Sequence, residues 1–354
     1  MNFTDRFKGI VPPVATPYHA DGSVDTRSLK RLIRHLLDGG VHGLFLLGST
    51  SECVLLDAKD RGRVLETALA EVNGKIPVVA GVMDAATDVC LNHARLAKSL
   101  GVDGLVVTAP YYTRTNQAET IDHFRYIHGE IGLPVVAYDI PACVNIKLLR
   151  DTVHNLAREG LICGLKDSSG DEGGFRMLIH DFKDKPHFRL FTGSEIVADT
   201  AILSGASGCV PGLANVDPHG YVRLYEAAAR GDAVASRREQ ERLIDLFQMV
   251  FWSGSELSPG AAGVGSFKVA LKHKGIFEYS HMRRPNRPIP DTVRPVSRNT
   301  SCRWVCLDVP FAEGLARWID RFLPASGRKP NGPRRNCCGH GSGSAGRRCT
   351  CFAH

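Results

Sequence analysis

The sequence predicts an α/β protein, a (β/α)8 TIM barrel with additional C-terminal helices and a disordered tail. Between residues 9 and 212, eight short apolar runs alternate with longer amphipathic stretches. The runs are apolar on both faces, as is typical of parallel strands that helices cover, and eight such units match a barrel of this kind. A doubly wound sheet is the alternative, but "VATPYHADG" after the first run lacks its glycine-rich turn.

Each strand is predicted from an apolar run that ends in a turn. The eight predicted strands are 9–16, 42–48, 76–82, 103–109, 133–139, 161–166, 188–193 and 206–212. Between the first two, apolar residues recur at helical spacing from Leu29 to Leu37, and Gly39 follows as a helix C-cap. The stretches 58–74 and 87–101 show the same pattern and also end at a glycine.

The periodicity divides the chain into three parts. Residues 1–230 form the predicted catalytic barrel, and 231–290 a helical extension packed beside it. Residues 291–354 are predicted to be an irregular, disordered tail, because Pro, Arg, Gly, Ser and Cys dominate and few apolar residues are available for burial. Within this tail, 311–323 has the pattern of one more helix.

Charge and cysteine content are concentrated near the C-terminus. The net charge is +7, but 326–354 hold six basic side chains and no acidic one, so the rest of the chain is nearly neutral. This distribution argues against nucleic-acid binding by the body of the protein, and a binder that acts through the basic tail is the weaker alternative. No apolar stretch is long enough to span a membrane and no secretory signal is visible, so we expect a cytoplasmic protein with reduced cysteines.

Polar side chains cluster where the predicted strands end. In a TIM barrel the carboxyl ends of the strands and the following loops form the active-site face. The residues at these ends are Thr16, "GSTSE" at 48–52, "TAPYY" at 108–112, "YDIP" at 138–141, Lys166 and Val210. We therefore expect hydroxyls, tyrosines and one lysine to converge on one rim.

This set of side chains fits the chemistry of a class I aldolase acting on a 2-oxo acid. A neutral lysine can form a Schiff base with a ketone, a phenol can move protons beside it, and backbone N–H groups of a Gly-Ser-Thr turn can hold a carboxylate. Each signal alone has a simpler reading. Lys166 alone fits a solvated residue, Tyr138 a packing residue and "GSTSE" a helix cap.

Four motifs in this order and spacing carry a family resemblance. "GSTSE", "PYY", "YDIP" and "GLKDSSGD" are similar to those of the dihydrodipicolinate synthase / N-acetylneuraminate lyase family, over about residues 8–290. The resemblance implies a (β/α)8 barrel with extra C-terminal helices and a homo-oligomer, dimeric or tetrameric. It also implies that pyruvate or a related 2-oxo acid is bound as a Schiff base, without a metal or other cofactor.

The resemblance also implies roles for single residues. Lys166 would be the Schiff-base lysine and Tyr138 the proton-relaying tyrosine. Ser49 and Thr50 would grip the substrate carboxylate, and Ser49 would also link to the tyrosine. Three positions complete the predicted substrate site: Gly48, Thr16 and Val210, the last through its backbone carbonyl. Tyr112 would be a catalytic tyrosine that reaches into the neighbouring subunit's site.

Three positions depart from the family pattern. Ser51 stands where glycine is usual, which should change the loop modestly, and Asp139 stands where asparagine is common. Cys143 stands where the synthases carry an arginine that binds the aldehyde substrate's carboxylate, and a thiol cannot form such a clamp.

The sequence therefore favours an aldolase of the 2-keto-3-deoxy sugar acid type, with an aldehyde or sugar-acid partner. The alternatives are 4-hydroxy-tetrahydrodipicolinate synthase, a keto-deoxy sugar acid dehydratase that uses the same lysine, and a non-catalytic metabolite-binding barrel. The cysteines and histidine of the tail match no standard zinc finger, so no metal site is expected: Cys337, Cys338, His340, Cys349 and Cys351.

Overall fold

A computed structural model describes residues 2–253, 257–289 and 311–323 of the chain. Eight parallel strands lie in one sheet in the order β1-β8-β7-β6-β5-β4-β3-β2. A parallel bridge between Pro13 and Phe45 joins its two outer strands, so the sheet closes into a barrel. The predicted (β/α)8 barrel with C-terminal helices is confirmed, and the doubly wound alternative is wrong.

The strands are short and begin and end within the predicted ranges or one residue beyond them. They are β1 Gly9–Ile10, β2 Leu44–Leu46, β3 Val78–Gly81, β4 Gly104–Val107, β5 Val135–Asp139, β6 Gly164–Asp167, β7 Arg189–Thr192 and β8 Gly208–Cys209. Nearly every strand residue is buried, because side chains fill the barrel on one face and helices cover the other.

Helices follow the strands in the expected alternation. In the described ranges they are α1 Phe3–Arg6, α2 Thr26–Asp38, α3 Ala58–Val72, α4 Thr87–Leu100, α5 Gln117–Ile131, α6 Pro141–Val144, α7 Arg150–Arg158, α8 Glu172–Asp181, α9 Ala198–Leu203, α10 Pro218–Ala229, α11 Ala233–Phe247, α12 Pro259–His273 and α13 Phe311–Phe322.

Side-chain caps fix where many of these helices begin. In each, a side-chain oxygen accepts a hydrogen bond from the amide three residues further on, which satisfies one of the free N–H groups of the first turn. The capping residues are Asp25, Asp57, Asn116, Asp171, Asp217, Asp232 and Ser258. Because helices of a barrel begin just after a strand ends, the five caps from Asp25 to Asp217 also shape the loops of the active-site face.

The C-terminal extension packs against the barrel through α11 and α12, and α13 lies against both. The helix predicted at 311–323 is present, with Leu315 and Ile319 buried. The segment 291–354 is therefore not irregular throughout. The remainder of that segment, including the cysteine-rich residues 326–354, lies outside the described residues. None of the helices in the described ranges is long and apolar enough to cross a membrane.

Candidate active site

Lys166 ends in an aromatic pocket inside the mouth of the barrel. It lies in β6, and only 5% of the residue is exposed. Its Nζ is 3.9 Å from the centroid of the Tyr138 ring and 5.2 Å from that of Phe45. The amine therefore lies over the faces of two aromatic rings, with little access to bulk water. The lysine is therefore buried beside a phenol, as the sequence predicts.

Tyr138 is fixed beside the lysine by strand register. β5 and β6 pair so that Tyr138 lies opposite Lys166, which places both side chains on the same face of the sheet. The tyrosine is buried, and its ring meets Phe45 edge to face with centroids 6.1 Å apart. A change of one residue in the register would turn one side chain out of the barrel.

Gly193 leaves the space that the lysine needs. A Cβ at this position would lie 3.1 Å from Lys166 Cε and closer still to Ser168 Oγ. Any other residue would press on the lysine stem or displace the turn that follows β6. Glycine at the end of β7 is thus a requirement of the site.

The "GSTSE" motif forms a tight turn at the end of β2. Ser49–Ser51 make one 3-10 turn, with Ser49 exposed and Thr50 half-buried at the mouth. Gly48 is buried against the Phe45 ring, which a Cβ would overlap at 2.8 Å. Ser51, the departure from the family pattern, is buried and donates its hydroxyl hydrogen to the Val14 carbonyl. The serine therefore ties the turn to the segment after β1.

The other predicted residues lie around the same mouth or above it. Thr16 and Val210 are buried, and the Val210 amide donates to the Thr192 carbonyl at 2.9 Å. Tyr112 is 89% exposed, with a left-handed φ of 67°. Its contact with a neighbouring subunit, the hydroxyl link between Ser49 and Tyr138 and the carbonyl role of Val210 stay predictions.

The sequence analysis missed a carboxyl group that lies within electrostatic reach of Lys166. Glu195, in the loop after β7, accepts hydrogen bonds from the amides of Gly212 at 2.7 Å and Leu213 at 3.2 Å. Burial raises the pKa of Glu195 to about 7, although these amides and the positive charge of Lys166 oppose the shift. The one signal in the sequence was an acidic residue two positions after the predicted strand 188–193.

A buried ionic network lies behind Tyr138 and Lys166, on the outer side of β5 and β6. Asp139 follows Tyr138, and its carboxylate accepts from Lys147 Nζ at 2.9 Å and from the Leu148 amide at 3.1 Å. Lys147 also donates to Ser169 Oγ at 2.8 Å. Burial raises the pKa of Asp139, and the Lys147 ammonium opposes this. Asp139, which stands where asparagine is common in the family, thus has a cationic partner that the sequence analysis did not identify.

Cys143, the third departure, is an exposed thiol on α6 near the mouth. Although the residue is exposed as a whole, partial burial of its sulfur raises the pKa of Cys143, and the positive charge of Lys166 acts in the opposite sense. The thiol therefore lies within electrostatic reach of the lysine. Within the described part of the chain, no cluster of three or more His, Cys, Asp or Glu side chains could hold a metal ion.

Comparison with known proteins agrees with this geometry. Residues 6–300 match the model of the dihydrodipicolinate synthetase family. An uncharacterized DapA-like lyase of Halobacterium salinarum is 33% identical over 286 residues, 81% of this chain and 90% of that protein. The 4-hydroxy-tetrahydrodipicolinate synthase of Methanospirillum hungatei is 31% identical over 253 residues, 71% of this chain and 86% of that one.

Solved structures show the same architecture. The prophage protein YagE of E. coli K12, crystallised with pyruvate and described as a member of the dihydrodipicolinic acid synthase family, superposes with a TM-score of 0.78 at 27% identity. The match covers 89% of this chain and 98% of YagE. The dihydrodipicolinate synthase of Bacteroides thetaiotaomicron superposes with a TM-score of 0.79 at 29% identity, with the same coverage. The chain therefore belongs to the dihydrodipicolinate synthetase family of lyases.

Proposed function

We propose that the protein is an aldolase that binds pyruvate, or a related 2-oxo acid, as a Schiff base on Lys166. The observation that carries the proposal is the position of Nζ, 3.9 Å from the Tyr138 ring in a pocket that leaves the lysine 5% exposed. Such a site shields the lysine from bulk water and keeps a phenol close enough to move protons beside it.

The proposed cleavage follows from these two groups. The amine attacks the C2 carbonyl of a 2-keto-3-deoxy sugar acid, and the carbinolamine loses water to give an iminium ion. The C4 hydroxyl then gives up its proton, and the C3–C4 bond breaks. Its electron pair flows into an enamine, and an aldehyde leaves. Protonation at C3 and hydrolysis release pyruvate and the free lysine. Tyr138 carries protons between amine, oxygen and carbon, and condensation is the same path reversed.

The turn after β2 supplies the proposed grip on the 2-oxo acid. Ser49 and Thr50 lie at its start, where the first N–H groups of a helical turn have no partner within the turn. Together with the two hydroxyls, they would hold the substrate carboxylate and leave C2 facing the lysine. The pyruvate complex of YagE supports a 2-oxo acid as the first substrate.

The class of the second substrate is inferred from the side chain at position 143, which is a cysteine. An aldehyde that carries a carboxylate needs a cation near the mouth, and an uncharged thiol does not supply a bidentate clamp. This favours a hydroxylated aldehyde or sugar-acid partner over the substrate of 4-hydroxy-tetrahydrodipicolinate synthase. 4-Hydroxy-tetrahydrodipicolinate synthase activity stays the alternative, because the relative from Methanospirillum hungatei carries that name.

Glu195 favours a second candidate, a dehydratase of keto-deoxy sugar acids. After the Schiff base forms and C3 loses a proton, the enamine can expel the C4 hydroxyl. A carboxyl group whose pKa is about 7 can protonate that oxygen, so that water leaves. We expect Glu195→Gln to abolish water elimination if this reaction is the physiological one, while aldol cleavage would fall only modestly.

Release of pyruvate tests the proposal. The protein would be incubated with a panel of 2-keto-3-deoxy sugar acids, and free pyruvate and dehydrated product would be measured in the same samples. Lys166→Ala is the inactive control, and Tyr138→Phe should lower kcat by a factor of roughly 10² or more, since it removes a general acid-base group. A protein that binds these acids without converting any of them would be the non-catalytic barrel instead.

A further inference from the structure

The last residue of the "GSTSE" turn has an unusual backbone and environment. Glu52 adopts a left-handed φ of 58°, which residues other than glycine rarely do, and it is buried. Its amide donates to the Ser49 carbonyl at 3.0 Å and so closes the turn. Such a conformation persists only where the surroundings hold it in place.

Residues of the C-terminal extension hold Glu52 in this conformation. Lys268 of α12 is completely buried and donates from Nζ to Glu52 Oε1. The other carboxylate oxygen, Oε2, accepts from the backbone amide of Arg283 at 2.8 Å. Lys268 also donates to the His281 carbonyl at 2.9 Å, and its Nζ lies 4.2 Å from the centroid of the Tyr18 ring.

Residues 278–289 form a strap that returns from α12 to the rim of the barrel. The Arg283 guanidinium donates to the Gly22 carbonyl at 2.8 Å and pairs with Asp60 at 2.9 Å. Within the strap, Ile289 packs on Gly265 of α12. The strap thus joins the start of α3, the loop after β1 and the turn after β2.

We propose that the Glu52–Lys268 ion pair, held by the strap through Arg283, is a positioning device for the substrate carboxylate. Through the Glu52 amide it sets the shape of the Ser49–Thr50 turn, so the C-terminal extension completes the active site. The proposal rests on the proposed function, in which this turn grips the 2-oxo acid. A buried charge pair is costly unless each partner is fully satisfied, and here both oxygens of the carboxylate are bonded.

The test uses the double variant Glu52→Gln/Lys268→Met, which removes both charges and leaves neither buried alone. The full-length protein would be titrated with pyruvate, reduced with borohydride and scored for adduct by mass. We expect the pyruvate concentration at half-maximal adduct to rise about tenfold, with the maximal yield unchanged, because binding geometry is lost and the lysine chemistry is not.

Arg242→Met is the matched control. Arg242 of α11 pairs with the buried Asp217 at the start of α10, so the variant breaks another ion pair of the same extension. It should melt at a lower temperature and keep the half-saturating pyruvate concentration. This comparison separates positioning from general loosening of the extension.

The proposal is overturned if the folded double variant keeps half-saturation within about twofold of the unaltered protein, or if Arg242→Met raises it equally. Should the double variant not fold, Arg283→Met is judged by the same two criteria, since it removes the guanidinium contacts with Gly22 and Asp60 that anchor the strap at the rim. An unaltered protein that forms no adduct with any 2-oxo acid would instead refute the proposed function itself.

Discussion

The chemistry of a lysine depends on the few groups around its amine. Lys166 faces two aromatic rings, and its positive charge reaches Glu195, a carboxyl group that accepts hydrogen bonds from two backbone amides. A carboxyl group with a pKa of about 7 is half protonated at neutral pH, so it changes charge in the range where the enzyme would work. At the residue scale, the proposed nucleophile Lys166 thus has a phenol beside it and a titrating acid within electrostatic reach.

Glu195 predicts a pH dependence of stability. Its folded-state pKa lies above the ordinary value of 4.5, so ionisation disfavours the folded state. The resulting loss of stability grows as pH rises from about 4.5 to about 7 and is constant above that range. We expect the melting temperature of Glu195→Gln, relative to the unaltered protein, to increase between pH 5 and pH 8. Calorimetry of both proteins at several pH values checks this, and a difference that is flat or falls with pH would contradict it.

Lys166 and Tyr138 could be predicted from the sequence, and Glu195 and Glu52 could not, for a physical reason. Strand periodicity locates the strand ends, and the barrel brings all strand ends to one rim. Whether a loop side chain turns into that rim depends on contacts distant in sequence. Glu195 is held by amides 17 and 18 residues away, and the partner of Glu52 is 216 residues away.

At the scale of elements, the pairing of β5 with β6 positions the two central side chains. Four residue pairs define that register, from Val136–Gly164 to Asp139–Asp167. On the outer side, Lys147 links Asp139 to Ser169, and the Ser169 amide and hydroxyl both donate to Asp167 at 2.8 Å. The ionic network therefore fastens the ends of the same two strands that carry Tyr138 and Lys166.

Removal of Lys147 should weaken the ionic network at the ends of β5 and β6. Lys147→Met leaves the buried Asp139 carboxylate without its cation, and Lys147 is 34% exposed, so the cost is smaller than for a fully buried pair. We expect the free energy of unfolding to fall by roughly 2 kcal/mol. Urea denaturation measures it, and Asp139→Asn/Lys147→Met, which removes both charges, should recover part of the loss. Equal losses in the single and double variants would show that the ion pair itself is unimportant.

At the scale of the whole molecule, the chain is a barrel with an extension that packs onto it. The barrel and α11–α12 were visible in the sequence as alternating periodicity. The way the extension returns to the barrel rim was not, because 278–289 forms neither helix nor strand and its contacts follow no repeat. α13 extends this packing, with Leu315 and Ile319 buried.

Two truncations should differ in their effect. Loss of residues 326–354 should leave activity and melting temperature unchanged, since their composition offers little to bury. Loss of 311–354 also removes α13 and exposes the surface under Leu315 and Ile319, so the melting temperature should fall by several degrees. Thermal melts of the two shortened chains make the comparison, and a large effect of the shorter deletion would refute the first expectation.

Assembly is predicted at Tyr112. An 89% exposed tyrosine in a left-handed conformation fits a side chain held by a neighbouring copy of the chain. We expect sedimentation to show a dimer or tetramer, and Tyr112→Phe to lower kcat without dissociating it. A fully active monomer would contradict this expectation.

The central claim is that Lys166 is the nucleophile, and covalent trapping tests it most directly. The protein would be incubated with pyruvate, reduced with borohydride, digested and mapped by mass spectrometry. The account predicts one adduct per chain, on the peptide that contains Lys166, and none in Lys166→Ala. An adduct on another lysine, or no adduct with any 2-oxo acid tested, would contradict it.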